Sequence, residues 1–529
     1  MLIGIALRYD FLMTIFEVNP NPKTMKFLAY PLFFIAAVAH SQTVDIEKTF
    51  EVSKEAMKGF IHTVENDEAK QQLNFTYRVR AKRNQAKFIN YTFDYNFNMV
   101  NQSEEVVDFE KEIPAKYKPK KYRGEDYEKE GLYVEPNLIG TLVMKRKVTH
   151  FHWNWFTMNY GVTTSVEGKL KAKTDDDKKL FYHYHIEDNN DGTAMILAGE
   201  KATKESPLNH MMHYHFIKYD INLTQLADVT VNFEAPQILI ANWALQKDDD
   251  TQGDYLAVFA TTKLKNFVGG KNLWGQDPTE YTYVRVSYDG KLVDRIKFNS
   301  PNSIWRIDEF VKGKDNSIYF YGPSNGEKGD YFASMADVSG DKTKWPSFQL
   351  AKVNNGKMEF ATSTSMDEFK AKLKPQPDGK KGESYSGRRI SFTEAIVSPT
   401  NEVILSGQNY GLARNAKGQI TGREYEDLVM FHFDAQGKLI SQYTMNKKQK
   451  GIEPDTQKFE FSSDGKTMYW SYFDNVDSKQ VKELDFIVEK PLGVPKMAKI
   501  NLTTGAFDKY TEFGKGENFA HYYTLNYLK

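Results

Sequence analysis

The chain contains no cysteine, which excludes disulfides, thiol nucleophiles, iron–sulfur ligation and the acylated cysteine of a bacterial lipoprotein. It also carries no net charge, 70 Lys and Arg against 70 Asp and Glu in 529 residues. No global field therefore draws it to nucleic acid or an anionic lipid surface. Beyond residue 41 no segment approaches the ~18 consecutive apolar residues of a membrane-spanning helix. Direct membrane insertion is not expected, and any membrane association would run through a protein partner. Phosphate-binding loops and dinucleotide fingerprints are missing as well. The lysine-rich stretches Lys116 to Arg123 and Lys370 to Lys381 are broken by Pro and Gly and read as solvated loops.

At the N-terminus, Met25-Lys26 precedes an apolar segment from Phe27 to Ala39 and a small-x-small site, Ala39-His40-Ser41. This order is that of a secretory signal peptide cut before Gln42. The apolar core is short for a bilayer and contains Pro31. The expectation is a periplasmic or secreted protein, associated with the outer membrane only through a partner. Residues 1–24 lie upstream and hold Asp10, Glu17 and two prolines. Met25 is the start this pattern favours, and a long signal sequence from Met1 is the alternative.

From residue 190 to 510 one unit recurs: an extended apolar run, a tight Gly or Asn turn, and a second extended run. One set of turns is Tyr288-Asp289-Gly290-Lys291, Asn354-Asn355-Gly356-Lys357, Ala435-Gln436-Gly437-Lys438 and Thr503-Thr504-Gly505-Ala506. The other is Asp191-Gly192, Asp315-Asn316, Thr400-Asn401 and Asp464-Gly465. The sets interleave from Gly290 onward, so each repeat holds two hairpins, or four strands. That is the pattern of a β-propeller blade. The run Ile221-Asn222-Leu223-Thr224 matches Ile500-Asn501-Leu502-Thr503 and supports an internal repeat. The expected fold is an all-β propeller of six four-stranded blades, with seven as the alternative because the region before residue 170 is least regular. Residues 72–529 form the propeller and 42–71 a short helix or strap, since Val44 to Val64 shows helical apolar spacing in part. The first blade draws on Asn74 to Arg80, Lys87 to Val100, Leu138 to Thr149 and His150 to Val166, interrupted by a charged insertion from Lys111 to Gly131. Tyr522 to Leu528 is a final strand suited to closing the ring.

The segment Phe459-Glu460-Phe461-Ser462-Ser463-Asp464-Gly465-Lys466-Thr467-Met468-Tyr469-Trp470-Ser471 resembles the F-S-x-D-G-K-x-hydrophobic-hydrophobic repeat of TolB-like, WD40-like bacterial propellers. Ala395 to Ser406 echoes it with Thr400-Asn401 in place of Asp-Gly. The resemblance covers two short segments. It implies a propeller fold and a cell-envelope setting, and it carries over no catalytic residue.

Seven of the eleven histidines fall in three groups, His150/His152, His183/His185 and His210/His213/His215. An H-x-H on a strand sets both imidazoles on one face, a geometry that suits a transition metal, and His183, His185, His213 and His215 are the candidate ligands. The competing reading is packing, because aromatics interleave with them and no carboxylate completes a known ligand spacing. The Asp-rich turns at Asp175 to Asp177, Glu187 to Gly192 and Asp248 to Asp254 invite calcium, yet each lacks part of the loop pattern. No cofactor is called. Gly382-Glu383-Ser384-Tyr385-Ser386-Gly387 looks like a serine carboxypeptidase nucleophile motif with Ser386 in place of Ala. Its polar flanks lack the strand and helix of a nucleophile elbow. Trp153 and Trp155 share a strand face and could stack on a glycan, although packing between blades uses aromatics equally well.

These readings converge on an exported soluble propeller that binds a protein partner as a scaffold of the bacterial cell envelope, for instance in an outer-membrane transport or secretion assembly. The alternative is a glycan-binding or hydrolytic propeller with its site in the central channel. What separates the two is whether ionisable side chains converge at the channel mouth.

Overall fold

The computed structural model describes residues 2–6 and, apart from short internal stretches, residues 46–108, 127–325 and 345–512. Leu2–Ala6 (β1) pairs antiparallel with Ile46–Phe50 (β2). The helix expected within Val44 to Val64 is a single turn, Lys54–Met57, capped by the Ser53 hydroxyl accepting from the Ala56 amide. The rest of that stretch is extended, because Ile61 and Val64 join the core of the first sheet.

The remaining strands form consecutive antiparallel sheets. Sheet I holds Phe60–Asp67 (β3), Gln72–Val79 (β4), Gln85–Asp94 (β5) and Met99–Asp108 (β6). Sheet II holds Tyr127–Glu135 (β7), Leu142–Asn154 (β8) and Asn159–Ala172 (β9). Sheet III runs through Leu180–Asp188 (β10), Thr193–Lys201 (β11), Met211–Asp220 (β12) and the first half of Gln225–Gln246 (β13). The second half of β13 opens sheet IV, followed by Gln252–Thr261 (β14), Glu280–Val286 (β17) and Leu292–Asn299 (β18). Between β14 and β17 stands a separate hairpin, Lys263–Val268 (β15) with Lys271–Gln276 (β16). Sheet V is Glu309–Lys312 (β19), Ile318–Ser324 (β20), Ser347–Asn354 (β21) and Lys357–Ser365 (β22). Sheet VI is Ile390–Val397 (β23), Val403–Arg414 (β24), Ile420–Phe433 (β25) and Leu439–Met445 (β26). Sheet VII is Gln457–Phe461 (β27), Thr467–Glu483 (β28), Phe486–Asn501 (β29) and a divided last strand, Ala506–Phe507 (β30) and Thr511–Glu512 (β31).

The chain is thus an all-β, propeller-type protein: besides the β1–β2 and β15–β16 pairs the described strands form six sheets, and the seven-stranded one divides within β13 into sheets III and IV, giving seven blade-like groups, the alternative count of the repeat. The single irregular first blade divides into sheets I and II. Lys87 to Val100 is broken by the turn at Phe97, and β8 runs unbroken through Thr149 and His150 to turn after Asn154. The closing strand Tyr522 to Leu528 lies outside the described residues.

Packing follows from strand periodicity. Alternate residues of one strand point to opposite faces, and here each face meets a different neighbouring sheet. In β20, Ile318 and Phe320 share a core with Leu256, Val258 and Tyr283 of sheet IV, while Tyr319 and Tyr321 share one with Leu405, Phe431 and Phe433 of sheet VI. The same division recurs in β14, where Leu256 and Val258 face sheet V and Tyr255, Ala257 and Phe259 face sheet III. First strands also lie against one another, β10 against β7 and β13, and β23 against β19 and β27. They line the inner side of the assembly.

The tight turns expected from sequence all join first to second or third to fourth strands, so they gather at one end. Positive φ occurs there at Gly192, Asn316 and Asn401 and at Leu223, Gly290, Gly356, Gly437 and Gly505. A recurring lock reinforces this end. Arg285, Lys352 and His432 each stand near the end of a third strand and reach an acid of the preceding turn region, Asp254 at 2.7 Å, Asp315 at 3.4 Å and Glu402 at 3.4 Å. No helix among the described residues is long and apolar enough to cross a membrane.

Gly437 and Gly418 separate two costs of a side chain. Both have positive φ, 77° and 76°, but a Cβ at Gly437 would lie 2.4 Å from the Phe360 ring, whereas one at Gly418 meets nothing within 4 Å. Gly418→Ala should cost only the left-handed backbone penalty of about 1–2 kcal/mol. Gly437→Ala should cost visibly more in urea unfolding, and equal losses would show that the turn does not pack on sheet V.

Candidate functional site

Antiparallel order places the remaining connections, second to third strand and sheet to sheet, at the opposite end from the tight turns. These connections are long. They include the β15–β16 hairpin, the tip of β24–β25, the outer part of β28–β29 from Phe473↔Pro495 to Glu483↔Phe486, and the segment from Met366 to Arg389 with its helix Met366–Lys372. Loops on a rigid scaffold are where binding residues concentrate. The inner strands begin at this end, and a cluster of ionisable groups gathers around their starts.

Arg306 and Asp308 lie in the link that enters β19. Arg306 Nε is 2.6 Å from Asp308 Oδ1, and Nη2 donates to Oδ2 at 3.0 Å. The backbone is held by Gly322, whose Cα lies so close to the Arg306 carbonyl that any Cβ would collide with it. Burial pushes the Asp308 carboxyl up, and the Arg306 charge pulls against that shift. The next residue, Glu309, is also pushed up by burial, with the Asp308 charge adding to the shift. On the neighbouring inner strand Glu394 is raised by burial and opposed by Lys458.

The charges of all three carboxyls act on one phenol. Tyr321 is fully buried, and its ionisation is suppressed first by burial and then by Glu309, Asp308 and Glu394 together. A register shift between Phe392 and Glu394 marks a bulge at Thr393, whose hydroxyl accepts from Gln457 Nε2 at 3.0 Å. Bulges re-aim side chains next to functional sites. Here the bulge sits between Phe392, edge-on to Tyr321 at 5.2 Å, and Glu394. The Gln457–Thr393 bond ties the inner strands of sheets VI and VII to one another, and Gln457 also accepts from the Trp470 indole of its own sheet at 2.9 Å.

The rim is aromatic and cationic. Tyr385 is buried against Phe369, Phe348 and Phe431. Arg306 lies 5.6 Å from the Trp345 ring centroid. Tyr410 and Tyr425 pair at 5.9 Å on the β24–β25 hairpin, with the Arg423 guanidinium 4.7 Å above Tyr410.

The residues singled out from sequence fall elsewhere. His150 and His152 do share a strand face, rings parallel within 3° and 6.3 Å apart, and His152 contacts Thr163. His213 Nδ1 lies 2.6 Å from Asn232 Oδ1. His215 is buried between two carboxylates, Nε2 at 3.0 Å from Glu200 and Nδ1 at 3.0 Å from Asp228. Burial alone would lower its pKa, but the hydrogen bonds and charges of Asp228 and Glu200 outweigh it and raise the imidazole above its ordinary value. Both ring nitrogens are thus engaged by carboxylates. Among the described residues no group of three or more His, Asp or Glu could hold a metal ion. The side chains of His183, His185, Trp153 and Trp155 lie outside the described residues, as do Asp175 to Asp177. Ser384 sits in a loop rather than an elbow and donates to Gln442 Oε1 at 3.3 Å. Sequence reasoning missed Arg306, Asp308, Glu309 and Glu394. Nothing distinguishes them from other charges until the fold brings first strands together.

No family model matches the chain, and no curated protein matches it. Among solved structures it is similar to a point mutant of the apocarotenoid oxygenase of Synechocystis, 12% identical over 75% of this chain and 82% of that one, TM-score 0.29. It is similar to the lignostilbene dioxygenase of Pseudomonas brassicacearum, 13% identical over 73% and 81%, TM-score 0.28. A GH43_1 enzyme from Xanthomonas citri is 11% identical over 63% and 90%, TM-score 0.24. The expectation of an envelope scaffold is corrected on this comparison, because these similar structures are enzymes and none is a scaffold. Their TM-scores assign no activity to this chain.

The elevated carboxyl of Glu394 has a measurable consequence. A folded-state pKa above the unfolded value gives stability that is present below the unfolded pKa and lost as pH rises through the folded one. Glu394→Gln removes that loss. The variant should melt above the parent at about pH 7 and level with it near pH 3.5, where both side chains are neutral. A gain of equal size at both pH values would show that burial does not act on this carboxyl.

Proposed function

We propose that the chain is a glycan-directed hydrolytic propeller whose site is the mouth at the long-connection end. One observation carries this reading: Asp308, Glu309 and Glu394, at two adjacent inner strands, all act electrostatically on the Tyr321 phenol, and each carboxyl is biased toward the protonated form. Glycoside cleavage by paired carboxyls needs one that stays protonated near neutral pH to donate to the leaving oxygen, and a second that acts as carboxylate. Glu394 suits the first role, since burial favours its neutral form. Asp308 suits the second, since Arg306 supports its charge within hydrogen-bonding distance. Tyr410, half-buried at the rim, offers a flat face on which a sugar ring can stack.

The same reading places the chain outside the cytoplasm after cleavage before Gln42. The signal-like pattern from Met25 to Ser41 and the absence of cysteine support it. The TolB-like run at Phe459 to Ser471 is consistent with that setting, and in the fold it supplies the β27–β28 hairpin.

Purified protein spanning Gln42 to Lys529 should release reducing ends from at least one polysaccharide in a panel of plant, algal and bacterial glycans. Glu394→Gln should lower that rate by about 10²–10⁴-fold, the range of a lost general acid. Release unaffected by both Glu394→Gln and Asp308→Asn, or no release from any glycan, would remove this assignment.

A further inference from the structure

The inner strand of sheet VI, β23, changes the face it presents partway along. Phe392 stands opposite Gly407 and Glu394 opposite Ser406, so Thr393 is an extra residue with no partner position on β24. Beyond it, Ala395 and Val397 pack in the core shared with sheet V, and Ile396 packs in the core shared with sheet VII. Glu394 has the parity of Ile396 and lies on the side of sheet VII. Regular pairing continued from Phe392 would instead set Glu394 opposite Leu405, whose side chain belongs to the core with sheet V. A slip of one residue exchanges the faces of a strand. The bulge therefore decides on which side of β23 the Glu394 carboxyl stands.

One side chain of the next sheet holds every corner of this bulge. Gln457 on β27 has the parity of Phe459, which packs in the core between sheets VI and VII. Its amide nitrogen donates to the Thr393 hydroxyl at 3.0 Å and to the Gly407 carbonyl at 3.4 Å, and its oxygen accepts from the Ser406 hydroxyl and from the Trp470 indole at 2.9 Å. Two donors and two lone pairs are the full capacity of a carboxamide, and Gln457 is 1% exposed. Three of the four bonds fall on the extra residue and on the two residues that face it across the pair of strands. We propose that Gln457 is a positioning residue for Glu394: by clamping Thr393, Ser406 and Gly407 it fixes the bulge that sets this carboxyl at the mouth. The clamp does not depend on the glycan reading above, and only the acid role of the carboxyl it positions rests on that reading. The groups that act around that carboxyl are Lys458 of β27, which opposes its upward shift, and Asp308 and Glu309 at the neighbouring inner strand, whose charges act with it on Tyr321.

The test compares Thr393→Val, which keeps the shape and removes the acceptor, with Thr393→Ser, which keeps the hydroxyl. Each is made with and without Glu394→Gln, and melting temperature is read at about pH 7 and about pH 3.5. Thr393→Val should reduce the gain that Glu394→Gln brings at pH 7 by at least about half, and Thr393→Ser should keep it, because only residues that share a network couple in such a cycle. Gln457→Met should act like Thr393→Val, and Thr393→Val alone decides if the buried variant does not fold. In glycan cleavage the alkaline limb of the pH profile reports the general acid, and Thr393→Val should move it toward lower pH by about one unit, the ordinary spread of carboxyl pKa values. A pH 7 gain equal in Thr393→Val and in the parent, lost equally in Thr393→Ser, or absent from the parent would overturn the positioning role whatever the activity. A gain lost in Thr393→Val alone, with no glycan cleaved, would leave the positioning role standing and remove the glycan reading. A gain so lost, with a cleavage profile that does not move, would keep the positioning role and remove Glu394 as the general acid.

Discussion

Every described sheet from III to VI is buried on both faces, and this constraint governs the rest of the molecule. A strand such as β20 cannot follow the alternation of a half-exposed sheet, because its odd residues are needed in one core and its even residues in another. All seven of its residues are buried. Burying a large side chain on each face contributes about 1.5–3 kcal/mol apiece, and the contribution is realised only if the neighbouring sheets are present. Cohesion therefore runs from sheet to sheet along the chain, without disulfide. It also explains the aromatic content: Tyr319, Tyr321, Tyr281 and Tyr283 have the volume to fill the wedge between sheets while keeping a polar tip.

That arrangement forces a division of labour between the two ends. Tight Asx and Gly turns and the basic–acidic locks occupy one end, where they set strand register and sheet spacing. Asp220, Asp434 and Asp94 each accept two backbone amides inside their turns, a local device that fixes the turn. At the other end the links must carry the chain from the outer edge of one sheet to the inner edge of the next. They cross the mouth on the way, and so bring Arg306, Asp308, Tyr385 and Arg389 together although up to 83 positions separate them in sequence. The topology that stabilises the fold is what assembles the site.

This division also explains what could be read from the residues alone. Turn chemistry is local: Asn355-Gly356 with φ of 47° and 70° announces its hairpin in two letters, and the interleaved turns revealed the four-strand repeat from Gly290 onward. Sheets I and II were compressed into one because their turns lack that signature. Phe97 adopts positive φ without being Gly or Asn, and the β8–β9 hairpin pairs Asn154 with Asn159 across a turn with no Gly. The site was not legible for a different reason. Glu394 becomes unusual only through burial beside Phe392 and a bulge, and Asp308 only through Arg306, both of which depend on register and packing. Histidine clustering was a real compositional signal, yet at His215 it marks a carboxylate–imidazole–carboxylate bridge across β11, β12 and β13.

The mouth sets a conflict that the chain resolves by segregation. Carboxyls kept neutral by burial need a dry environment, while a bound polar ligand needs donors and charge. Tyr321, Phe392 and Phe348 pack against one another in the core between sheets V and VI. Arg306, Arg389 and Arg423 lie on links and a hairpin that the sheet cores hold but do not bury. A cation placed among the acids would ionise them and end their capacity to donate a proton. Arg306 comes nearest to doing so, and it spends its charge on Asp308, the one acid for which the ionised form is useful. Burial pushes both Asp308 and Glu394 up, but only at Asp308 does a guanidinium within hydrogen-bonding distance pull against that shift, so what stands next to each carboxyl sets the two apart.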